Sequence, residues 1–294
     1  MEVFGVPLQL LLAQLLLGLV NGCFYAMLSL GLAIIFGLLN VINMSHGALY
    51  MLGAFAAWAG GSYLGLSYWW MLLFAPLVVG AFGVVVERLL LRKLYKLDHL
   101  YGMLLMIGLA QFLEGLLHSM YGVSGKPFRA PDALQGATDI GIMVLPNYRV
   151  WVVVVSLLVC FGTWYAIEKT RLGARLRAGT ENPLLVQAFG INVPVMVTLI
   201  YGLGAALAAL GGVLAAPMVQ VSPLMGTNLI VVVFAVVVIG GLSSILGSIV
   251  TGLGLGVIEG LAGVYYPEAS ATVIFVLMAI VLLLRPAGLF GREA

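Results

Sequence analysis

The sequence is short of charge. Asp, Glu, Lys and Arg make up 8% of its 294 residues, against 63% hydrophobic, where a soluble globular chain carries about 25% charged residues. A chain of this composition cannot cover itself with polar surface and has to be solvated by lipid. Cysteine is scarce too: Cys23 and Cys160 both fall inside apolar runs, so neither a disulfide framework nor a metal-ligand spacing arises. No long polar stretch is present, and residues 1–294 read as one transmembrane domain without a separate soluble part. Signatures of catalysis are missing as well. There is no GxxxxGK phosphate loop, no HExxH and no GxSxG, which points away from an enzyme and implies no cofactor or metal. If ATP drives this protein, another chain must bind it. The net charge of +2 gives no reason to expect a nucleic-acid partner.

What the sequence has instead is apolar runs near the ~20 residues that span a bilayer as helix, rather than the short alternating strands of a barrel. The expectation is an all-α integral membrane protein with about eight crossings, some of them broken or re-entrant. The opening residues carry Glu2 as their one charge before Leu8 and do not read as a cleavable signal peptide. From Leu8 to about Leu39 there is no charge at all. That run is too long for one straight crossing and is expected to bend, break or turn back. Asn21-Gly22 and Ser29-Leu30-Gly31 are candidate break points, while Gly18, Gly22 and Ala26 at spacing four offer a small-residue packing face. Later spans run from about Met71 to Val86, Tyr101 to Tyr121, Val150 to Ile167 and Ala271 to Leu284. Two further stripes, Gly204, Ala208, Gly212, Ala216 and Ser244, Ser248, Gly252, Gly256, Gly260, let helix backbones approach closely.

Basic residues set the orientation. Arg88, Arg92, Lys93, Lys96, Lys169, Arg171, Arg175, Arg177, Arg285 and Arg292 fall on one side of the spans, and Lys126, Arg129 and Arg149 on the other. The first side is therefore expected inside, with the 122–147 loop outside.

Polar residues inside the apolar part mark candidate sites. Asn43, Ser45 and His46 sit together between two hydrophobic segments, where such groups persist only if protein or a wet cavity satisfies them. They read either as a broken helix beside a translocation path, with Asn21 as a further lining residue, or as a tight turn capping helices. Glu114 and His118 share a helix face four residues apart. They read as a proton relay or as a hydrated pair near the outer interface, and Glu259 is a weaker candidate of the same kind. A self-sufficient proton-coupled transporter or channel for small polar solutes would use these three.

The longest polar interruption on the basic side is about 168–193. A basic run is followed by Thr180, Glu181, Asn182 and Pro183, then by apolar Leu184, Leu185, Val186, Ala188 and Phe189, and closed by Gly190. This reads as a basic segment leading into a capped amphipathic helix, with Thr180 or Asn182 accepting from its first free amides, Pro183 in its first turn and Gly190 at its end. A plain topogenic loop is the blander alternative.

Four stretches carry a family likeness: NGCFYAMLSLGLAIIFGLLNVINMSHGALYMLGAF at 21–55, RLGARLRAGTENPLLVQAFGIN at 171–192, GGLSSILGS at 240–248 and LLLRPAGLFG at 282–291. The chain resembles the permeases of branched-chain amino acid ABC importers, specifically the LivH-type subunit. The resemblance implies an ABC importer permease bundle in a bacterial or archaeal cytoplasmic (inner) membrane. Its implied partners are a LivM-type second permease, two cytoplasmic ATP-binding subunits and an extracytoplasmic substrate-binding protein. It also implies that the helix from Glu181 to Gly190 docks on the ATPase, with Arg175, Thr180, Glu181, Asn182, Leu185, Ala188 and Gly190 as coupling residues. Asn182 and Pro183 stand where alanines often follow the glutamate in that family. Related permeases serve urea or short amides, so these remain alternative substrates.

Overall fold

In lipid the backbone has no water to pair with, and each apolar run satisfies its amides and carbonyls internally by forming helix. The computed structural model describes residues 2–3, 6–39, 43–95, 97–139, 141, 143–181, 183–242 and 244–291; 78% of the described residues are helical. In order, the helices are α1 (Leu8–Leu39), α2 (His46–Leu64), α3 (Tyr68–Leu89), α4 (His99–Tyr121), α5 (Asn147–Glu168), α6 (Arg171–Glu181), α7 (Pro183–Ala188), α8 (Val193–Ala215), α9 (Met225–Gly240), α10 (Ile245–Tyr265) and α11 (Ser270–Leu284). The strands are short: β1 (Glu2–Val3) pairs with β2 (Val6–Pro7), and β3 (Ala137–Asp139) with β4 (Val144–Pro146), both antiparallel. Among the described residues, seven helices are long and apolar enough to cross a membrane, and α9 is a shorter apolar one.

One expectation fails. The run from Leu8 does not break at Asn21-Gly22 or Ser29-Gly31; α1 is a continuous helix of 32 residues. At 1.5 Å per residue it is about 48 Å long, so it crosses a ~30 Å hydrocarbon layer by tilting or projecting beyond it. The glycines serve contact instead.

The chain divides into two compact units, residues 1–29, 130–160 and 231–294 in one and 30–129 and 161–230 in the other. In the first, α1 lies against α10 along small residues. A Cβ at Gly256 would stand 2.3 Å from Gly22 Cα, one at Gly260 2.9 Å from Gly18 Cα, and one at Gly252 2.6 Å from the Ala26 amide. The same seam carries hydrogen bonds from Ser29 Oγ to the Ser248 carbonyl (3.2 Å) and from Tyr25 Oη to Glu259 Oε2 (2.7 Å). The carboxyl-terminal segment folds back on the end of α9, with amides of Leu289 and Phe290 donating to Ile239 and Gly240 carbonyls. That return is possible because Gly241 and Gly288 both take positive φ, 99° and 82°, and meet with Cα and N atoms where a side chain would stand.

In the second unit α8 is the central helix. Ala209 and Gly212 face α2, where a Cβ at Gly53 would stand 2.4 Å from Ala209 Cα. Gly202, Ala205 and Ala206 face α3, where they meet Val84, Gly83 and Gly80. Small residues on two faces thus let α8 approach both neighbours, which lipid alone would not drive together. Ile35, Val86, Leu91, Met106 and Tyr201 form a buried cluster at the basic end of this unit.

Candidate functional site

The basic segment is itself helical, which the sequence reading missed by treating the basic run as a lead-in. α6 covers Arg171–Glu181, and the amphipathic piece that follows is the short α7, Pro183–Ala188. α6 is held by its own cations. Arg177 Nη1 donates to the Ile167 carbonyl (2.9 Å) and to Glu168 Oε2 (3.1 Å), while Nη2 reaches the Glu168 carbonyl (3.4 Å). A guanidinium thereby satisfies the orphan carbonyls at the end of α5. Gly173 allows the crossing, since a Cβ there would stand 1.5 Å from the Ile167 carbonyl oxygen. At the far end of α6, Gly179 abuts Met196 of α8.

α7 ends as its glycine foretells: Gly190 has φ +79°, and its amide donates to the Gln187 carbonyl at 2.9 Å. Asn192 then opens α8, accepting the Val195 amide on Oδ1 at 3.2 Å. Within this segment Val186 is buried, whereas Leu172, Leu185 and Phe189 are 69%, 56% and 77% exposed. Arg171, Arg175 and Ala188 are exposed too. The segment thus exposes both large apolar side chains and cations. Asn182 lies outside the described residues, as do the side chains of Thr180 and Glu181.

The second candidate group is brought together as a turn. Asn43, Ser45 and His46 are each fully buried in the second unit. Asn43 Oδ1 accepts from the Ser45 amide (3.1 Å) and hydroxyl (2.6 Å), and the His46 amide donates to the Asn43 carbonyl (3.2 Å). Asn43 therefore holds the chain in a side-chain-to-backbone turn that starts α2. Ser45 occupies the cap position but makes no capping hydrogen bond. Its Oγ lies 3.5 Å from Met106 Sδ, which also takes the Tyr201 hydroxyl at 3.4 Å. Met106 stands seven residues into α4, about 10 Å from that helix's start, so α2 begins within the depth of the spans. The Asn43 Nδ2 donor has no partner among the described residues, a cost of about 1–3 kcal/mol. Asn21 is not part of this turn; it is exposed on α1 in the first unit.

Two carboxylates complete the picture. Glu87 on α3 is fully buried and accepts from Thr198 Oγ1 (2.6 Å) and Tyr95 Oη (3.0 Å). Burial, and after it the Glu87 charge alongside, push the Tyr95 phenol well above its ordinary value, so Tyr95 remains a donor. Nothing in the sequence singles out Glu87, which stands beside Arg88 at the end of an apolar run. Glu114 accepts from Thr227 Oγ1 at 2.6 Å, while His118 is exposed.

A family model described as "Branched-chain amino acid transport system / permease component" matches residues 14–283. The chain belongs to that family. It is 32% identical to the high-affinity branched-chain amino acid transport system permease protein BraD of Pseudomonas aeruginosa, over 96% of each chain. It is 28% identical to the corresponding protein LivH of Salmonella typhimurium, again over 96% of each. With the probable branched-chain amino acid transport permease protein LivH of Methanocaldococcus jannaschii it shares 27% over 91% of this chain and 88% of that one. As a member of this family of multi-pass permeases, the protein keeps its likeness-bearing segments in structurally demanding places. The 171–192 stretch forms α6 and α7, and the 240–248 and 282–291 stretches meet at Gly241 and Gly288.

Proposed function

We propose that the chain is the LivH-type permease subunit of an ATP-driven ABC importer for branched-chain amino acids. It forms half of a translocation path in a bacterial or archaeal inner membrane. A LivM-type permease supplies the other half, two cytoplasmic ATP-binding subunits the energy, and an extracytoplasmic binding protein the selectivity. The observation that carries this reading, beyond the family, is the α6–α7 segment: Leu185 and Phe189 on α7 and its end are exposed, as are Arg171 and Arg175 on α6, while Val186 is buried.

ATPase subunits that close on ATP can move a pore only through a rigid element at their surface. In this reading Arg175, Thr180, Glu181, Asn182, Leu185, Ala188 and Gly190 form the docking face. The substrate path follows Asn21 on α1 and the Asn43–His46 turn, where the Asn43 amide donor is the kind of buried group that a ligand or a rearranged neighbour satisfies. Residues 1–294 act as one permease domain with 168–193 as its cytoplasmic loop.

The test is purification through a tag in mild detergent. The expected result is stoichiometric recovery of a second permease and ATP-hydrolysing subunits, ATP-dependent leucine uptake after reconstitution, and loss of the ATPases alone when Glu181 and Gly190 are substituted. Recovery of the chain by itself, transporting under a proton gradient, would refute the proposal.

A further inference from the structure

A carboxylate within an apolar helix is costly, and Glu114 stands fifteen residues into the 23-residue α4, in its outer third. Its partner is Thr227 Oγ1 at 2.6 Å, among the described residues the one hydrogen bond it accepts from a side chain. An ionised carboxylate offers about four acceptor positions. The remainder open on a cavity of about 120 Å³ between α2, α4 and the start of α9. At its polar end are Glu114, Thr227 and Gln111; its walls are Met44, Met51, Ile107 and Ile230. An apolar cavity of about 150 Å³ holds benzene, so this one is the right size for a three- or four-carbon branched group.

The first turns of two helices also border it, with Gly47 and Ala48 opening α2 and Gly226 and Thr227 opening α9. The two starts approach closely, with a Cβ at Gly226 falling 2.1 Å from the Gly47 carbonyl oxygen, and Thr227 brings the first turn of α9 to Glu114 itself. An ammonium at Glu114 with its aliphatic chain between the methionines and isoleucines matches that lining.

We propose that this cavity is a substrate subsite of the permease for small aliphatic compounds bearing a free ammonium group, with Glu114 receiving the ammonium. The inference rests on the reading of the chain as an amino-acid permease, and it places a second filter after the binding protein. Glu114→Gln keeps an acceptor for Thr227 and removes the charge, whereas Thr227→Val removes the hydrogen bond and keeps the charge. A filter therefore predicts that Glu114→Gln lowers leucine uptake by the reconstituted complex at least ten-fold and Thr227→Val less than three-fold; a purely structural link predicts the reverse order or equal losses.

Occupancy is read separately, without transport. In the purified complex, maleimide labelling of Gln111→Cys, exposed at the mouth of the cavity, is expected to slow with millimolar leucine or isoamylamine and not with 4-methylpentanoate. No protection, or equal protection by the acid, overturns the subsite. Protection by leucine in a complex that shows no ATP-driven leucine uptake would instead overturn the proposed function and leave the subsite standing.

Discussion

Substituting Gly212 with Ala adds one carbon to the protein, and the seam between α2 and α8 has no room for it. The new Cβ would stand 2.0 Å from the Tyr50 carbonyl oxygen and 2.9 Å from the Ala54 amide nitrogen. Both are backbone atoms of a helix, so no rotamer change relieves the contact; the helices must part by more than 1 Å to reach ordinary van der Waals distance, roughly 3.4–4 Å. A gap of 0.5–1 Å already forfeits a quarter to a half of each dispersion contact, and in lipid that contact is what holds helices together. Tyr50, Ala54 and Ala209 are all buried along this seam and all lose packing. Overpacking costs typically 1–3 kcal/mol, and we expect the upper end, about 3 kcal/mol. At ~2 °C per kcal/mol for a chain of this size, the apparent melting temperature in mild detergent, followed by tryptophan fluorescence, should fall by roughly 6 °C. Gly162→Ala on α5 is the control. Nothing lies within 4 Å of its Cβ position, and the substitution should be neutral or stabilising by up to about 1 kcal/mol. If both variants melt within about 2 °C of the parent, close backbone approach is not what the small residues provide.

Glu87→Leu should destabilise the protein by about 2–5 kcal/mol, because the Thr198 and Tyr95 hydroxyls both lose a charged acceptor; Glu87→Gln should cost less than half as much in the same melt. A Leu variant as stable as the parent would mean that these hydrogen bonds carry no net weight. Gly190→Ala places a side chain at φ +79°, which costs about 1–2 kcal/mol and falls on the end of α7; weakened recovery of ATPase subunits with an unchanged permease pair is expected, and full recovery would argue against α7 as the dock. By contrast, Glu168→Ala removes an ion pair with Arg177 whose side chains are 43% and 45% exposed, and should shift stability by less than about 1 kcal/mol, since Arg177 keeps the Ile167 carbonyl.

Spans were legible in the sequence because apolar length is their physical cause; α3, α4, α5 and α11 begin and end within a few residues of their expected limits. The stripe on α8 was legible as a packing face for the same reason. What the sequence could not separate was a glycine that kinks a helix from one that seats a neighbour: Gly18 and Gly22 admit either, and α10 decides. The polar Asn43–His46 turn was recognisable as out of place, yet its internal hydrogen bonds and full burial depend on α4 and α8, which arrive some sixty and a hundred and fifty residues later. Glu114 was noticed for its spacing to His118, whereas the structure gives it Thr227, a partner 113 residues away. Helical periodicity carries no information about such pairs. α6 escaped notice because five charged residues in a short stretch look like a solvated loop until Arg177 is seen to cap α5.

These placements bear on how force could travel. α7 is joined to α8 by the three residues before Asn192 caps it, so a push on α7 arrives at the first turn of α8 with little slack. Five residues into α8, Thr198 is bonded to Glu87 near the end of α3, which ties that end of α8 to the bundle and makes the pair a pivot rather than a free joint. Beyond the pivot, Ala209 and Gly212 lie in backbone contact with Gly53 and Tyr50 of α2, and a seam that tight transmits displacement instead of absorbing it. The helix so moved is the one that starts from the Asn43–His46 turn and borders the Glu114 cavity. A motion imposed at the exposed face of α7 would thus be delivered to the polar turn and the cavity together, and the buried Glu87 is the residue at which weakening the link should spare assembly while uncoupling uptake from ATP hydrolysis.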